Sequence, residues 1–298
     1  MRGRALLFYS ICCLTWGSTW LVIKIGLQDL PAFRFAGLRM AIACLALTPL
    51  VFRNGPPRLL RARWGDVAIA GLLQMGLSYA FVFAAERRIS SGLTAVIFAC
   101  FPIWVGLFAH WLLPGEPLTT GRLMAALLGL GGVALLEAPA LRDFDLDRAT
   151  ALAALLPLLS GVTAAFANVW MKKRLSSVSP PVNLWGQTLV GAAFLLLLSA
   201  ASEGGQVAHW TPRAVAAVLY LSLLGTVIAF LALFWLIPRV PMSSIGAIPL
   251  IDTLIAVALG ALVLAEPVGW RLFAGGGLIL TGAAIASRGE RASAPATS

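Results

Sequence analysis

Charge is what this sequence has least of. Asp, Glu, Lys and Arg make up 11% of its 298 residues, against roughly 25% in an average soluble domain. With 60% hydrophobic residues, that scarcity excludes a soluble globular protein and leaves no room for a soluble domain beside the apolar stretches. Histidine (two) and cysteine (four) are also few. Cys12, Cys13, Cys44 and Cys100 sit in apolar stretches without metal-ligand spacing and read as packing residues. His110 and His209 are too far apart to suggest a metal site or a nucleophile relay; His110 is expected as a satisfied membrane histidine and His209 in an outer loop. No Walker-type phosphate loop occurs, so energy is expected from gradients rather than ATP, with no cofactor and no catalytic or metal site.

What the chain has instead is a succession of long apolar runs. About twenty apolar residues cross a hydrocarbon core of ~30 Å, and here such runs predict ten helices: Leu6 to Gly26, Phe33 to Phe52, Val67 to Ala85, Leu93 to Leu113, Arg122 to Leu136, Ala151 to Met171, Leu184 to Ala201, Val215 to Trp235, Ile245 to Leu264 and Trp270 to Ser287. In such a chain the formal charge of +10 reads as topology, not as affinity for nucleic acid. With the N-terminus inside, the basic clusters at Arg53 to Arg63 and Lys172 to Arg174 fall inside, and Asp143, Asp145 and Asp147 fall outside. Both termini are therefore expected in the cytoplasm. Arg2 and Arg4 imitate a signal peptide, but Trp16, Trp20 and Lys24 and the lack of a cleavage site mark a retained first span.

A shift of 150 residues nearly repeats the sequence. Asp252 falls on Pro102, Ala265-Glu266-Pro267 on Gly115-Glu116-Pro117 and Gly282 on Gly132, the mark of a duplication. Five spans per half is an odd number, so the second copy must enter the membrane in the opposite sense. The expected fold is all-α and integral to the membrane, with ten transmembrane helices in two inverted five-helix repeats. The first repeat covers residues 1–142 and the second 143–298, with a short cytoplasmic tail. Glu116 is expected at the inner face and Glu266 at the outer, each beginning the helix that follows its proline. Secondary transporters recurrently use this plan, with substrate near the midplane.

Trp16-Gly17-Ser18-Thr19-Trp20, the Pro31 to Arg39 stretch, Gly115-Glu116-Pro117 and Ala265-Glu266-Pro267 together resemble the EamA-type proteins of the drug/metabolite transporter superfamily over essentially the whole chain. The resemblance implies ten helices, cytoplasmic termini and a central cavity lined by both halves. It also implies export of amino acids, other small metabolites or drugs. Asp252 departs from the pattern, standing where the family usually has proline.

Deep charge costs roughly 2.5 to 3.5 kcal/mol on insertion scales, so Asp252 and Arg39 stand out. Asp252 lies seven residues, or ~10 Å, into the ninth span as the only acidic residue clearly inside a helix; Arg39 is the only deep basic one. Both are expected to face the cavity, Arg39 toward a substrate carboxylate and Asp252 toward an amine or a coupling proton. The alternative is a structural ion pair, or Arg39 bonded to helix carbonyls. Trp16, Thr19, Trp20 and Lys24 recur at helical spacing as one polar-aromatic stripe. Gln74, Ser78 and Tyr79, then Trp104, then Thr163 and Asn168, then Gln187, offer further polar contacts, though such side chains also glue helices together. Proline at 49, 102, 157 and 249 interrupts spans, with Pro102 and Pro249 in matching helices, a pointer to a site.

The expected function is secondary export of small metabolites, amino acids or derivatives, across the cell inner membrane by alternating access. Efflux of drugs or lipophilic cations, attracted by Asp252, is the alternative, and an intramembrane enzyme is disfavoured because no nucleophile with its base is present. The expected partners are a small-molecule substrate, the lipid bilayer and a coupling proton, with the chain a monomer or homodimer.

Overall fold

The structure, a computed structural model, describes residues 3–53, 61–136, 138, 148–263 and 270–292, and every regular element among them is helical. Helices α1 (Gly3–Gly26) and α2 (Ala32–Phe52) are unbroken, whereas α3 (Trp64–Glu86) carries a π-helical segment at Leu72–Leu77. The next apolar run is split into α4 (Ser91–Phe98) and α5 (Phe101–Leu112), and α6 (Thr120–Leu136) follows. The second half repeats this plan in α7 (Arg148–Arg174), α8 (Pro180–Ser202), α9 (Pro212–Leu236) with a π-helical segment at Leu223–Ile228, the split pair α10 (Met242–Gly246) and α11 (Ile248–Val263), and α12 (Trp270–Ala292). The two π-helical segments start 151 residues apart, so the duplication seen in sequence extends to an uncommon backbone feature.

Seven stretches are long and apolar enough to cross a membrane: α1, α2, α3, Leu93–Leu112, α7, α8 and α9. Three shorter apolar helices, Thr120–Leu136, Met242–Ala256 and Phe273–Ala283, accompany them. The outer surface agrees with a lipid setting. Leu45, Leu197 and Phe273 are 70%, 71% and 74% exposed, which costs little in hydrocarbon. Trp64, Trp111, Trp210 and Trp270 are exposed at or beside helix ends, the place of interfacial tryptophan anchors. His110, expected as a satisfied membrane histidine, is instead exposed near the end of α5.

Sequence periodicity read two runs as continuous that the structure splits, at Ala99-Cys100 and at Ala247. Proline explains both breaks. Pro102 and Pro249 are each the second residue of the helix that resumes, where a missing N–H is tolerated and the preceding turn cannot continue. The ninth apolar run thus begins at Met242, three residues before its expected start, and Asp252 lies ten residues or ~15 Å along it, near its middle.

Small residues set the closest helix contact. A Cβ on Gly132 would lie 2.6 Å from the Gly275 carbonyl oxygen, and one on Gly275 would lie 2.7 Å from that of Gly132. Backbone meets backbone there, between α6 and α12, as the small-residue pattern of those helices anticipates.

Polar clasps hold the loops at the two ends of α9. At its start, Arg213 donates to both oxygens of Asp29 at 2.6 and 2.8 Å, and Thr211 donates to Oδ2 at 2.6 Å. These bonds hold the Asp29 carboxyl at about 2, below its ordinary range, so the clasp stays charged in mildly acidic solution. Nearby, the Glu203 carboxylate accepts the Phe33 and Arg34 N–H groups at 2.9 Å each, satisfying the first turn of α2. Beyond the far end of α9, Glu116 pairs with Lys172 at 2.7 Å and accepts the Met242 N–H at 2.7 Å, while Lys172 also donates to Val240 O at 2.5 Å. The expectation that Glu116 serves the helix after its own proline is therefore corrected. Thr119 caps that helix, and Glu116 caps α10, 126 residues away. The repeat partner Glu266, the 142/143 boundary and the acidic loop lie outside the described residues.

The packing of α6 on α12 makes a direct prediction. Gly132→Val should destabilise the protein by ~1–3 kcal/mol through overpacking. Gly131→Ala, whose Cβ meets nothing within 4 Å, should be neutral or stabilising by up to ~1 kcal/mol. Thermal unfolding in detergent, followed by tryptophan fluorescence, distinguishes the two.

Candidate functional site

Between the two clasps lies a cavity of about 100 Å³ lined by residues from both halves. α1 contributes Trp16, Thr19, Trp20 and Ile23, one helical face. α2 contributes Arg39, and α3 contributes Gln74, Ser78, Tyr79 and Val82. From the second half come Ala164 and Asn168 of α7, Phe230 and Leu233 of α9, Ile245 of α10, and Ile248, Pro249 and Asp252 of α11. Phe98 and Phe101 of the broken α4/α5 pair complete the lining, so both helix breaks border the cavity.

Arg39 is 1% exposed, yet it forms no ion pair within the described residues. Its Nε donates to the Thr226 hydroxyl at 2.7 Å, and its Nη2 donates to Gly225 O at 3.0 Å and to Tyr79 OH at 3.2 Å. The guanidinium also sits 4.6 Å from the centroid of the Tyr79 ring. Gly225 O accepts a second bond from the Trp16 indole at 3.1 Å. A carbonyl inside an α-helix is ordinarily occupied by the i+4 N–H; within the π-helical turn of Leu223–Ile228 the ladder is re-registered, and this oxygen faces inward. Arg39 is thus both bonded to a helix carbonyl and part of the cavity lining.

Asp252 is 3% exposed, and its Oδ1 makes no hydrogen bond among the described residues. The Trp20 indole is close enough to act on that carboxyl without closing a bond to it. Arg39 and Asp252 do not pair with each other. Five buried polar atoms on cavity residues therefore have no partner among the described residues: two donors, Arg39 Nη1 and Trp20 Nε1, and three acceptors, Asp252 Oδ1, Asn168 Oδ1 and Gln74 Oε1. Buried polar groups are ordinarily bonded, and exceptions point to function.

A family model described as the EamA-like transporter family matches the chain twice, over residues 3–137 and 151–288. The chain belongs to the EamA-like transporter family. As the resemblance implied, it is a multi-pass membrane transporter; the family and its named relatives are transporters, not enzymes. It is 27% identical to the "Uncharacterized transporter YoaV" of Bacillus subtilis (strain 168), covering 90% of this chain and 91% of that one. It is 29% identical to the "Uncharacterized inner membrane transporter YedA" of Escherichia coli (strain K12), covering 87% and 84%. A solved crystal structure superposes with a TM-score of 0.83 over 98% of this chain and 99% of its own, at 22% identity, a likeness of fold.

Of the residues singled out in sequence, Trp16, Thr19, Trp20, Arg39, Gln74, Tyr79, Asn168 and Asp252 line this EamA cavity, with Ser78. Trp104 and Gln187 do not. Trp104 faces Gly161 of α7 and stacks on Phe108; Gln187 is wholly buried on α8 and donates to Asn183 Oδ1 at 2.8 Å, a contact within its own helix. Lys24, at the end of the α1 stripe, donates to Glu86 O and Ile89 O. Sequence reasoning missed Thr226 and Gly225; Gly225 holds the place in the second π-helical segment that Gln74 holds in the first, 151 residues earlier, and Thr226 follows it. It also missed Glu86, which is 0% exposed, so Asp252 is not the only acidic residue buried on a helix.

Thr226→Val removes the acceptor of Arg39 Nε and should cost about 1.5–3 kcal/mol, the range for a hydrogen bond to a charged group. Thr226→Ser should retain most of that stability. Thermal unfolding of both variants in detergent tests the assignment.

Proposed function

We propose that this EamA transporter exports small zwitterionic metabolites, amino acids or close derivatives, by alternating access of the central cavity. One observation carries the substrate class. The cavity holds unsatisfied donors on Arg39 and Trp20 and unsatisfied acceptors on Asp252, Asn168 and Gln74. A zwitterion offers a carboxylate to the first set and an ammonium to the second, whereas a lipophilic cation leaves the buried guanidinium unanswered. The cavity volume, about 100 Å³ against the roughly 300–1,000 Å³ of drug-sized pockets, also favours a small metabolite. The aromatic lining suits an apolar side chain.

Alternating access is supported by chain direction. Helix α1 ends just before Asp29, which is clasped to the start of α9, and its equivalent α7 carries in its last turn Lys172, tied to Val240 beyond the far end of α9. Matching helices run in opposite senses, in keeping with ten spans in two inverted repeats divided near residue 142, the arrangement used by rocking transporters. Positive-inside bias then places both termini in the cytoplasm. The inner membrane named for YedA is the location proposed here, with energy from an ion gradient.

The test uses the purified full-length protein in detergent, screened by thermal shift against the twenty L-amino acids. Each hit is then compared with its carboxamide and its N-acetyl form. A ligand at 100 times its dissociation constant stabilises by about 2.7 kcal/mol, so binding is visible. The free zwitterion should raise Tm, with either blocked form binding at least about tenfold more weakly. Stabilisation by tetraphenylphosphonium but by no amino acid would replace this reading with cation efflux.

A further inference from the structure

We propose that Glu86 is a proton-binding site at one end of the cavity, distinct from Asp252 and served by Lys24. This inference rests on the transporter assignment but not on the substrate class. Glu86 is the last residue of α3, one turn beyond the cavity residue Val82; Lys24 is likewise one turn beyond the cavity residue Trp20 on α1. A turn is ~5–6 Å along the axis, so both side chains belong to the layer that closes this end of the cavity.

The Glu86 residue is 0% exposed, and neither carboxyl oxygen has a hydrogen-bond partner among the described residues. Its neighbour does not neutralise it directly. The Lys24 ammonium acts on Glu86 through space but spends its donors on backbone, at 2.6 Å to Glu86 O and 3.1 Å to Ile89 O. Other charges at this end are engaged or outside. Arg34 donates to the Glu203 and Gln206 carbonyls, Asp29 is clasped by Arg213, and Arg87, Arg88 and Arg148 are exposed. A buried carboxylate with no bonded donor is strongly disfavoured, and a neutral acid is the form this site accepts.

The chemistry is one proton transfer. With this end of the bundle closed, Glu86 carries the proton as an uncharged carboxylic acid. When the end opens, water enters, the O–H bond breaks, the proton leaves as hydronium and its electron pair stays on the carboxylate. Lys24, freed from the two carbonyls, pairs with the carboxylate. Ionisable residues inside membrane bundles are used in this way along proton relays. The paired clasp at the other end differs in kind, because Glu116 there already accepts Lys172 and the Met242 N–H.

Infrared difference spectroscopy of the full-length protein in lipid nanodiscs tests this directly and needs no substrate. Glutamate-selective carbon-13 labelling separates Glu86 from Asp252. At neutral pH, the wild type minus Glu86→Gln spectrum should show the C=O stretch of a protonated glutamic acid, and that band should vanish on alkalinisation. Lys24→Met should keep the band at an alkaline pH where the wild type has lost it. Only carboxylate bands in the difference spectrum would overturn the proposal. Should Glu86→Gln not fold, the labelled wild type alone decides, because the absence of any protonated-glutamate band at neutral pH overturns it equally. Failure of the amino-acid screen leaves this result untouched.

Discussion

The structure turns on one buried guanidinium held by uncharged groups. Arg39 carries its charge deep in a helix bundle whose outer surface is hydrocarbon, and no carboxylate among the described residues pairs with it. Its shell is assembled from a hydroxyl, a phenol ring and a backbone carbonyl. The carbonyl comes from a π-helical turn, which gives up regular α-helical registry in α9. That turn, the Trp16 indole bonded to the same oxygen and the position of α1 against α9 follow from a single requirement. One guanidinium nitrogen has no partner among the described residues, and Arg39 lines the same cavity as Asp252, whose Oδ1 is likewise without one.

The fold was legible because hydrocarbon imposes simple rules. Runs of about twenty apolar residues located the seven stretches long enough to cross a membrane, and the near-repeat at 150 residues is matched in the structure by two π-helical segments 151 residues apart. Arg39 and Asp252 were legible as cavity-lining residues for a related reason: charge at that depth is costly and is kept away from lipid. Breaks in the fourth and ninth runs were foreshadowed by Pro102 and Pro249, but their effect on helix starts was not.

What sequence could not show depends on partners far away in the chain or on backbone registry. Gly225-Thr226 sits in an apolar run and has no periodic signature; it matters because the helix widens there and turns a carbonyl inward. Gln187 looks in sequence like Gln74, yet one bonds to Asn183 of its own helix and to Met171 of α7, and the other lines the cavity. Local sequence assigned Glu116 to the helix beside it, and its true partners are Lys172 and Met242. Glu86 was hidden by falling at the end of a span, where a carboxylate ordinarily reaches water.

The ends of the bundle are built unequally. Beyond the far end of α9, a formed ion pair ties the segment before α6 to α7 and α10. At the other end, Lys24 holds only backbone carbonyls beneath a buried acid. In the rocking cycle proposed above, one arrangement breaks as the other is remade, and the polar groups of the cavity are reached from alternate sides.

The account stands on Asp252 and Arg39 reading opposite charges of one ligand. The most direct measurement is a cycle that crosses Asp252→Asn with removal of the ligand's positive charge, using equilibrium binding of an amino acid and its N-acetyl form. The substitution is nearly isosteric, so the cavity keeps its shape. It should weaken the free amine at least about tenfold, the low end of one charge-assisted contact, and leave the acetylated form unchanged. Equal losses for both ligands would contradict the account.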